Sequence, residues 1–308
     1  MEDRDDTARL MHWQISGEIP DGYLDAMTQH PLFSVAARRL AAGMLAAAES
    51  DRALDSMVKD AGRFAAATWA LQLHATGGLT LPRLKRLCAA SGLLSPGRAR
   101  AVLLLLQYLG YVRPTQGRAR NEPARYDPTP ALLQAYRIHV RHALEACRIL
   151  EPWVDIVLAR LDEPGVVETF AKLQGEGLLI AVVATDLNSP FIRIVGQRHG
   201  GMQILHWIIQ SVEDDGAFPP SRSAPASATA VARRLRVSRA HVKRLFSDGM
   251  REGLLSQAED GSILLPPATR QVVEAVYATR LIGFLVCAAK TAVEMQAAWQ
   301  APASAALV

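Results

Sequence analysis

Apolar residues recur at helical spacing along most of this chain, and strand-like alternation is confined to short stretches. The segment FSVAARRLAAGMLAAAE (33 to 49) predicts an alanine-rich helix, and 62 to 75 a second. Residues 80 to 109 predict two helices parted by a turn at Gly92 to Leu94, with Ser95 as N-cap, Pro96 at the first helical position and a stop at Gly110. A short hairpin over 111 to 127 and a long helix over 129 to 150 follow. The order then recurs, with helices over 166 to 185, 200 to 212, 227 to 252 and 269 to 297. Within 227 to 252 the turn falls at Arg236 and Val237, the cap at Ser238 and the stop at Gly253. GLLIAVVAT (177 to 185) has the composition of a strand, yet its counterpart is helical, so a helix is expected. An amphipathic piece is expected near Tyr23 to Met27, and a frayed tail at QAPASAALV.

The recurrence extends to residue identities. GRFAAATW (62 to 69) lies over GGMQILHW (200 to 207), so Gly62 and Trp69 match Gly200 and Trp207 at one offset. TPALLQAYRIHVRHALEAC (129 to 147) lies over TRQVVEAVYATRLIGFLVC (269 to 287), pairing Thr129 with Thr269, Ala135 with Ala275 and Cys147 with Cys287. Cap to stop spans 15 residues both times, from Ser95 to Gly110 and from Ser238 to Gly253. Such matches imply an internal duplication of roughly 120 residues per copy, the size of a small domain and too long for a solenoid repeat. The expected organisation is an acidic segment at 1 to 32, a first copy at 33 to 150, a connection at 151 to 169, a second copy at 170 to 297 and a tail at 298 to 308.

Two helices, a tight turn between them and a hairpin after the second are the parts of a winged helix-turn-helix, whose second helix fits the major groove of B-DNA. If Val242, Leu245 and Phe246 face the core, then Arg239, Ala240, His241, Lys243, Arg244 and Ser247 face outward and form a base-reading set. The equivalent first-copy positions are Pro96, Gly97, Arg98, Arg100, Ala101 and Leu104, poorer in hydrogen-bonding groups. Its wing compensates with Arg113, Arg118, Arg120 and Arg125 against a single Glu122. The expected division of labour is base reading by the second copy, with Arg236 and Ser238 at its turn, and backbone or minor-groove grip by the first.

Net charge is only +4, but its placement matters more than its sum. Between 222 and 244 stand Arg222, Arg233, Arg234, Arg236, Arg239, Lys243 and Arg244 with no acid, and between 79 and 100 stand Arg83, Lys85, Arg86, Arg98 and Arg100, again with no acid. The first 25 residues instead carry seven acids against two arginines. Positive charge gathered on both helix-turn-helix segments suits phosphate.

Other classes find little support. The apolar runs AVLLLL (101 to 106) and LIGFLVCAA (281 to 289) fall far short of the ~20 residues a membrane span needs, and the acidic start lacks signal-peptide order. Three cysteines without a CxxC suit a reducing cytoplasm and provide neither a disulfide framework nor a zinc site. No phosphate-binding glycine loop or HExxH accompanies them, so neither an enzyme nor a cofactor is expected. Cys147 and Cys287 read as buried seam residues or as a redox pair across the terminal helices. His139 and His142 lack facing carboxylates and read as a solvated or capped helix face.

A helix, a winged helix-turn-helix and a long terminal helix, with RYDPTPALLQAY (125 to 136) where the wing returns into that helix, resemble the multiple antibiotic resistance regulator (MarR) family. The family's Asp-x-Arg at the wing tip is replaced by Arg118-Ala119-Arg120 and by Glu259-Asp260-Gly261. Members are homodimers joined through their terminal helices. The resemblance implies a mainly α fold of two winged units with small β-wings and long terminal helices, arranged as an intramolecular pseudo-dimer on double-stranded DNA. It also implies a small-molecule effector, for which Trp69 and Trp207 are the candidate lining, core packing being the other and favoured reading of both. The alternative is a protein-interaction module that binds RNA polymerase or another regulator, suggested by Leu104, Leu105 and the acidic second wing.

Overall fold

The computed structural model describes residues 22 to 115 and 122 to 300. It is mainly helical. The elements are α1 (Tyr23–Gln29), α2 (Phe33–Ser50), α3 (Arg52–Val58), α4 (Ala61–Ala75), β1 (Leu79–Thr80), α5 (Leu81–Ser91), α6 (Pro96–Tyr108), β2 (Val112–Pro114), β3 (Arg125–Pro128) and α7 (Pro130–Cys147). A 3-10 turn (Pro152–Val154) and α8 (Asp155–Leu158) lead to α9 (Val166–Val183), a π-helical turn (Ile192–Gly196), α10 (Gly201–Gln210), α11 (Ala228–Arg234), α12 (Arg239–Arg251), β4 (Ser256–Gln257), β5 (Ile263–Leu264) and α13 (Pro267–Gln300).

Six of the helices begin where short polar side chains take up free backbone N–H groups. Asp51 accepts from Ala53 and Leu54, Asp60 and Thr80 from Arg63 and Arg83, Ser95 from Arg98, Ser227 from Ala230 and Ser238 from His241. Each such cap contributes about 1 kcal/mol. The chain leaves α6 through Gly110 at φ 72° and α12 through Gly253 at φ 71°, left-handed positions that a Cβ would strain.

The two series of elements share their sheet order. In the first, β1 and β2 flank β3 antiparallel, with Leu79 opposite Tyr126 and Val112 opposite Pro128. In the second, β4 pairs antiparallel with β5, and an isolated bridge from Ala224 to Ile263 takes the place of β1.

Tertiary packing crosses between the halves. The first helix of each series, α2 or α9, lies against its own terminal helix, α7 or α13, and also against the second helix of the other series: α2 on α10, and α9 on α4. The terminal helices α7 and α13 touch each other. Being packed on two sides explains the alanine content of α2, where Ala36, Ala37, Leu40, Ala41, Gly43 and Ala47 are all buried. On the other side, Gly175 of α9 accepts a hydrogen bond on its carbonyl from Trp69 Nε1 of α4 at 3.0 Å. Small residues let these backbones approach closely. A Cβ added at Gly43 would lie 2.8 Å from His142 Cβ, and one at Gly175 2.8 Å from Gln72 Cβ.

By length and composition α13 is apolar enough to cross a membrane, but more than half of that stretch is buried inside the protein. Leu281, Ile282, Leu285 and Ala288 of α13 are core residues.

Several expectations need correction. The boundary at 170 falls inside α9, which starts at Val166, so 151 to 169 is not a plain connection. The short helix α3 and the π-helical turn carry no strong periodicity and were not expected. His139 is not on a solvated face: it is buried, its ring lies 4.9 Å from Phe64 and 5.9 Å from Phe284, and neither ring nitrogen has a hydrogen-bond partner among the described residues. Near it, His206 Nδ1 meets the Tyr277 hydroxyl, and Arg280 Nη1 lies 3.4 Å from His206 Nε2. Burial, Arg280 and His142 push His139 down to about 3, and burial, Arg280 and His139 hold His206 well below the usual imidazole range.

Two outcomes follow from this packing. Gly43→Ala should cost about 1 to 3 kcal/mol in urea denaturation because the new methyl group has no room, whereas Gly97→Ala, with nothing within 4 Å, should be neutral or slightly stabilising. The buried histidines set a pH dependence. Above about pH 6.5 both are neutral whether the chain is folded or unfolded; below it the unfolded chain binds protons that the folded chain refuses, so stability falls as pH falls. Each contributes a slope of up to about 1.4 kcal/mol per pH unit. Urea titrations from pH 7 to 4.5 should show a shallower slope in His139→Gln than in the unaltered protein.

Candidate nucleic-acid interface

The two exposed helix faces that sequence reasoning singled out both exist, and they differ in chemistry. In α12, Val242, Leu245 and Phe246 are buried, while Arg239, Ala240, Lys243, Arg244, Ser247 and Arg251 are exposed. In α6, Ala99, Val102, Leu103 and Leu106 are buried, while Pro96, Gly97, Arg98, Arg100, Ala101, Leu104 and Tyr108 are exposed. Counting from the caps Ser95 and Ser238, Arg100 matches Lys243, Ala101 matches Arg244, Leu104 matches Ser247 and Tyr108 matches Arg251. The second face is therefore cationic. The first is largely apolar, with Leu104 53% and Tyr108 87% exposed.

Arg239, Lys243 and Arg244 have no ion pair or hydrogen bond through their side chains among the described residues. Arg239 is the first residue of α12, where free N–H groups and the helix dipole add to its attraction for phosphate, and Lys243 and Arg244 follow in the second turn. Of the first unit, Arg100, Arg113 and Arg125 are exposed and likewise without an ion pair among the described residues. Arg118 and Arg120 lie outside the described residues.

Three expected contact residues are tied to neighbouring segments, Arg98 and Arg236 while remaining exposed. His241 is half-buried, its Nε2 lies 2.6 Å from the His199 carbonyl oxygen and its ring stands edge-on to His199, so it is not an outward base reader. Arg98 occupies the same helix position in α6, and its Nη2 lies 3.1 Å from Asp60 Oδ2. Each helix is thus pinned at its third residue to the segment that leads into α4 or α10. Arg236 has φ 53°, a conformation that costs a non-glycine residue on the order of 1 kcal/mol. Its guanidinium turns back on the first half, reaching the Glu49 carbonyl at 3.4 Å and Asp55 at 3.7 Å. Arg234 pairs with Glu49 at 2.8 Å, and Lys59 accepts on its carbonyl from Gly200 N at 2.6 Å. These contacts dock the second half on the end of α2 and on α3. Ser238 is exposed, and its hydroxyl oxygen is used as the cap.

Trp69 is fully enclosed between α4 and α9 with its indole N–H satisfied, and Trp207 is buried too. Neither lines the cleft of about 40 Å³ beneath α12, which Phe191, Ile204, Leu245, Phe246, Leu255 and Leu265 help to form. All three thiols are buried. Burial pushes Cys88 to about 11, Cys287 to about 12 and Cys147 higher still, so they stay protonated and poorly reactive. Among the described residues no group of His, Cys, Asp or Glu has the arrangement to hold a metal. The hairpin of β4 and β5 carries exposed Glu259 and Asp260, the latter accepting from Ser262 N at 2.9 Å and held below the usual carboxylate range by the Ser262 hydroxyl.

Sequence reasoning missed one cluster beside α12. Arg193, Arg198 and Arg251 surround a cleft of about 250 Å³ with Ile194 and Glu252. Its only early signal was that Arg198, two residues before Gly200, stands where the first series has Asp60, two residues before Gly62.

Compared with protein-family models, curated proteins and solved structures, the chain has no match. The functional reading therefore rests on its own residues and geometry.

Proposed function

We propose that this chain is a sequence-specific transcriptional regulator that binds double-stranded DNA through two unlike winged helix-turn-helix units held as an intramolecular pseudo-dimer. The observation that carries the reading is the exposed face of α12, where Arg239, Lys243 and Arg244 project without counter-ions among the described residues. The repeated element order, the matching sheet order and the exchange of α2 and α9 between halves support the pseudo-dimer. The second head reads bases through α12. The first contributes Arg100, Arg113 and Arg125 to the phosphate backbone. A regulator of this kind works in the cytoplasm.

A second reading is favoured by one observation. Ala101, Leu104 and Tyr108 are exposed at spacings of three and four residues along α6, an apolar stripe of the kind that receives a partner helix. The first head then binds another protein, such as RNA polymerase or a second regulator, while the second binds DNA.

Duplexes recovered by selection from a random library provide the test, with binding followed by fluorescence anisotropy at two salt concentrations. Preference over a scrambled duplex and a steep loss of affinity with salt are expected, with a slope of about 0.9 per phosphate contact. Arg239→Ala with Lys243→Ala should weaken binding by about tenfold or more and blur sequence preference. Equal, weak binding of selected and scrambled duplexes would overturn the reading. The selected sites should have unlike halves about one helical turn, ~10 bp, or a multiple apart; a perfect palindrome would argue against two unlike heads.

A further inference from the structure

Beside α12, three guanidinium groups from three different segments face one cleft. Arg193 comes from the π-helical turn, Arg198 from the segment before α10 and Arg251 from the last turn of α12. The cleft encloses about 250 Å³. Each arginine is aimed by a carboxylate: Arg193 Nη2 lies 3.2 Å from Glu252 Oε1, Arg251 Nη2 lies 2.7 Å from Asp248 Oδ1, and Arg198 Nη1 pairs with Asp248 Oδ2. Three cations against two carboxylates leave one positive charge. A guanidinium has five N–H donors in a fixed fork, so a single carboxylate contact leaves most of them free. Convergent forks with spare donors and residual positive charge suit a tetrahedral, multi-oxygen anion better than a planar one.

The cleft is continuous with the cationic face of α12, because Arg251 belongs to both and follows Arg244 by two turns. Among the described residues the first half has no counterpart of it. There, Asp60 stands in place of Arg198, Leu105 in place of Asp248 and Tyr108 in place of Arg251. Asp60 is already engaged with Arg98.

We propose that Arg193, Arg198 and Arg251 form a phosphate clamp that grips one phosphate group flanking the second reading helix. This rests on the DNA-binding reading where the phosphate is a DNA phosphodiester; the same chemistry would take a free phosphate compound instead. The clamp fixes the register of α12 in its groove and contributes affinity without sequence preference.

The experiment compares the unaltered protein with Arg193→Gln/Arg251→Gln, which leaves the Arg198–Asp248 pair intact. In the first arm, both bind a selected duplex over a range of salt. The variant should bind about tenfold more weakly, with the slope of log affinity against log salt smaller by about one or two and its rank order of sequences unchanged. In the second arm, pyrophosphate replaces DNA, and the shift in thermal midpoint is read. A shift at sub-millimolar pyrophosphate that the variant lacks would assign the clamp to a free phosphate compound, and would do so even if no duplex bound and the DNA-binding reading had failed. A variant that melts lower but keeps the full salt slope, with no pyrophosphate response in the unaltered protein, would show that the arginines only tie the π-helical turn to α12 and would overturn the clamp. If neither probe binds the unaltered protein, the clamp is overturned as well.

Discussion

Everything else in this fold depends on two helices that pack across the chain: α2 against α10, and α9 against α4. The helices at these seams are rich in small residues, with Ala36, Ala37, Ala41 and Gly43 buried along α2 and Ala65, Ala66 and Gly175 buried where α4 meets α9. Close approach gives these helices many short dispersion contacts in place of a few long side chains. It also means that neither half completes a core alone, since each supplies a helix the other needs. Covalent linkage makes that exchange intramolecular, so it is not diluted as a contact between separate subunits would be. The distance and angle between α6 and α12 are then set by the middle of the molecule.

From that middle, rigidity is passed outward to α6 and α12 by a few contacts at their first turns. Arg98 to Asp60 and His241 to the His199 carbonyl tie the same helix position to the helix start behind it. An exposed ion pair is worth little to overall stability, but it removes a rotation of the helix about its own axis. The second half has an additional tether, from Arg234 and Arg236 to Glu49 of α2 and from Arg236 to Asp55 of α3 and to Lys59 just beyond it, and Arg236 adopts a left-handed backbone conformation there. A residue that gives up backbone comfort for a contact 187 positions away marks a junction whose geometry matters. Burial of His199, with Arg63 and Lys59 close by, lowers its pKa, so the imidazole behind α12 stays neutral.

Much of this was legible in the sequence, for identifiable reasons. Periodicity and capping residues located α2, α4, α5, α6, α7, α10, α12 and α13 to within a few residues, because each carries an apolar stripe and α4, α5, α6 and α12 also begin at a polar cap. GLLIAVVAT is helical, as its counterpart suggested and its β-branched composition did not. Orientation toward remote partners was not legible. His241 and Arg98 in the first turn of a helix and Arg236 in the turn before one have partners in remote segments, His199, Asp60 and Asp55, that no periodicity reveals. His139 was misplaced for the opposite reason: the polar run around it hides that α4 and α13 cover its side of α7. The arginine cleft escaped because its members come from three segments, none of them basic as a run.

On the reading that the two halves are copies, their divergence has a mechanical explanation. In a two-fold homodimer every substitution is made twice, so replacing a cation on the reading helix by an apolar residue removes phosphate contacts from both heads and loses their energy twice over. Within one chain the first head can lose Arg251's counterpart to Tyr108 and Ser247's to Leu104 while the second keeps its own cations. The shared core is untouched by the change, because Leu104 and Tyr108 are exposed and the residues that anchor α6, namely Val102, Leu103 and Leu106, stay buried. What the first head gives up in charge along α6 it retains in Arg100 and in Arg113 and Arg125 of its wing, all exposed. Charge at the edge and apolar surface at the centre is the composition of a protein-binding face more than of a base-reading one. The rigid middle then holds two surfaces of different chemistry at a fixed distance, which a symmetric dimer of identical heads cannot do.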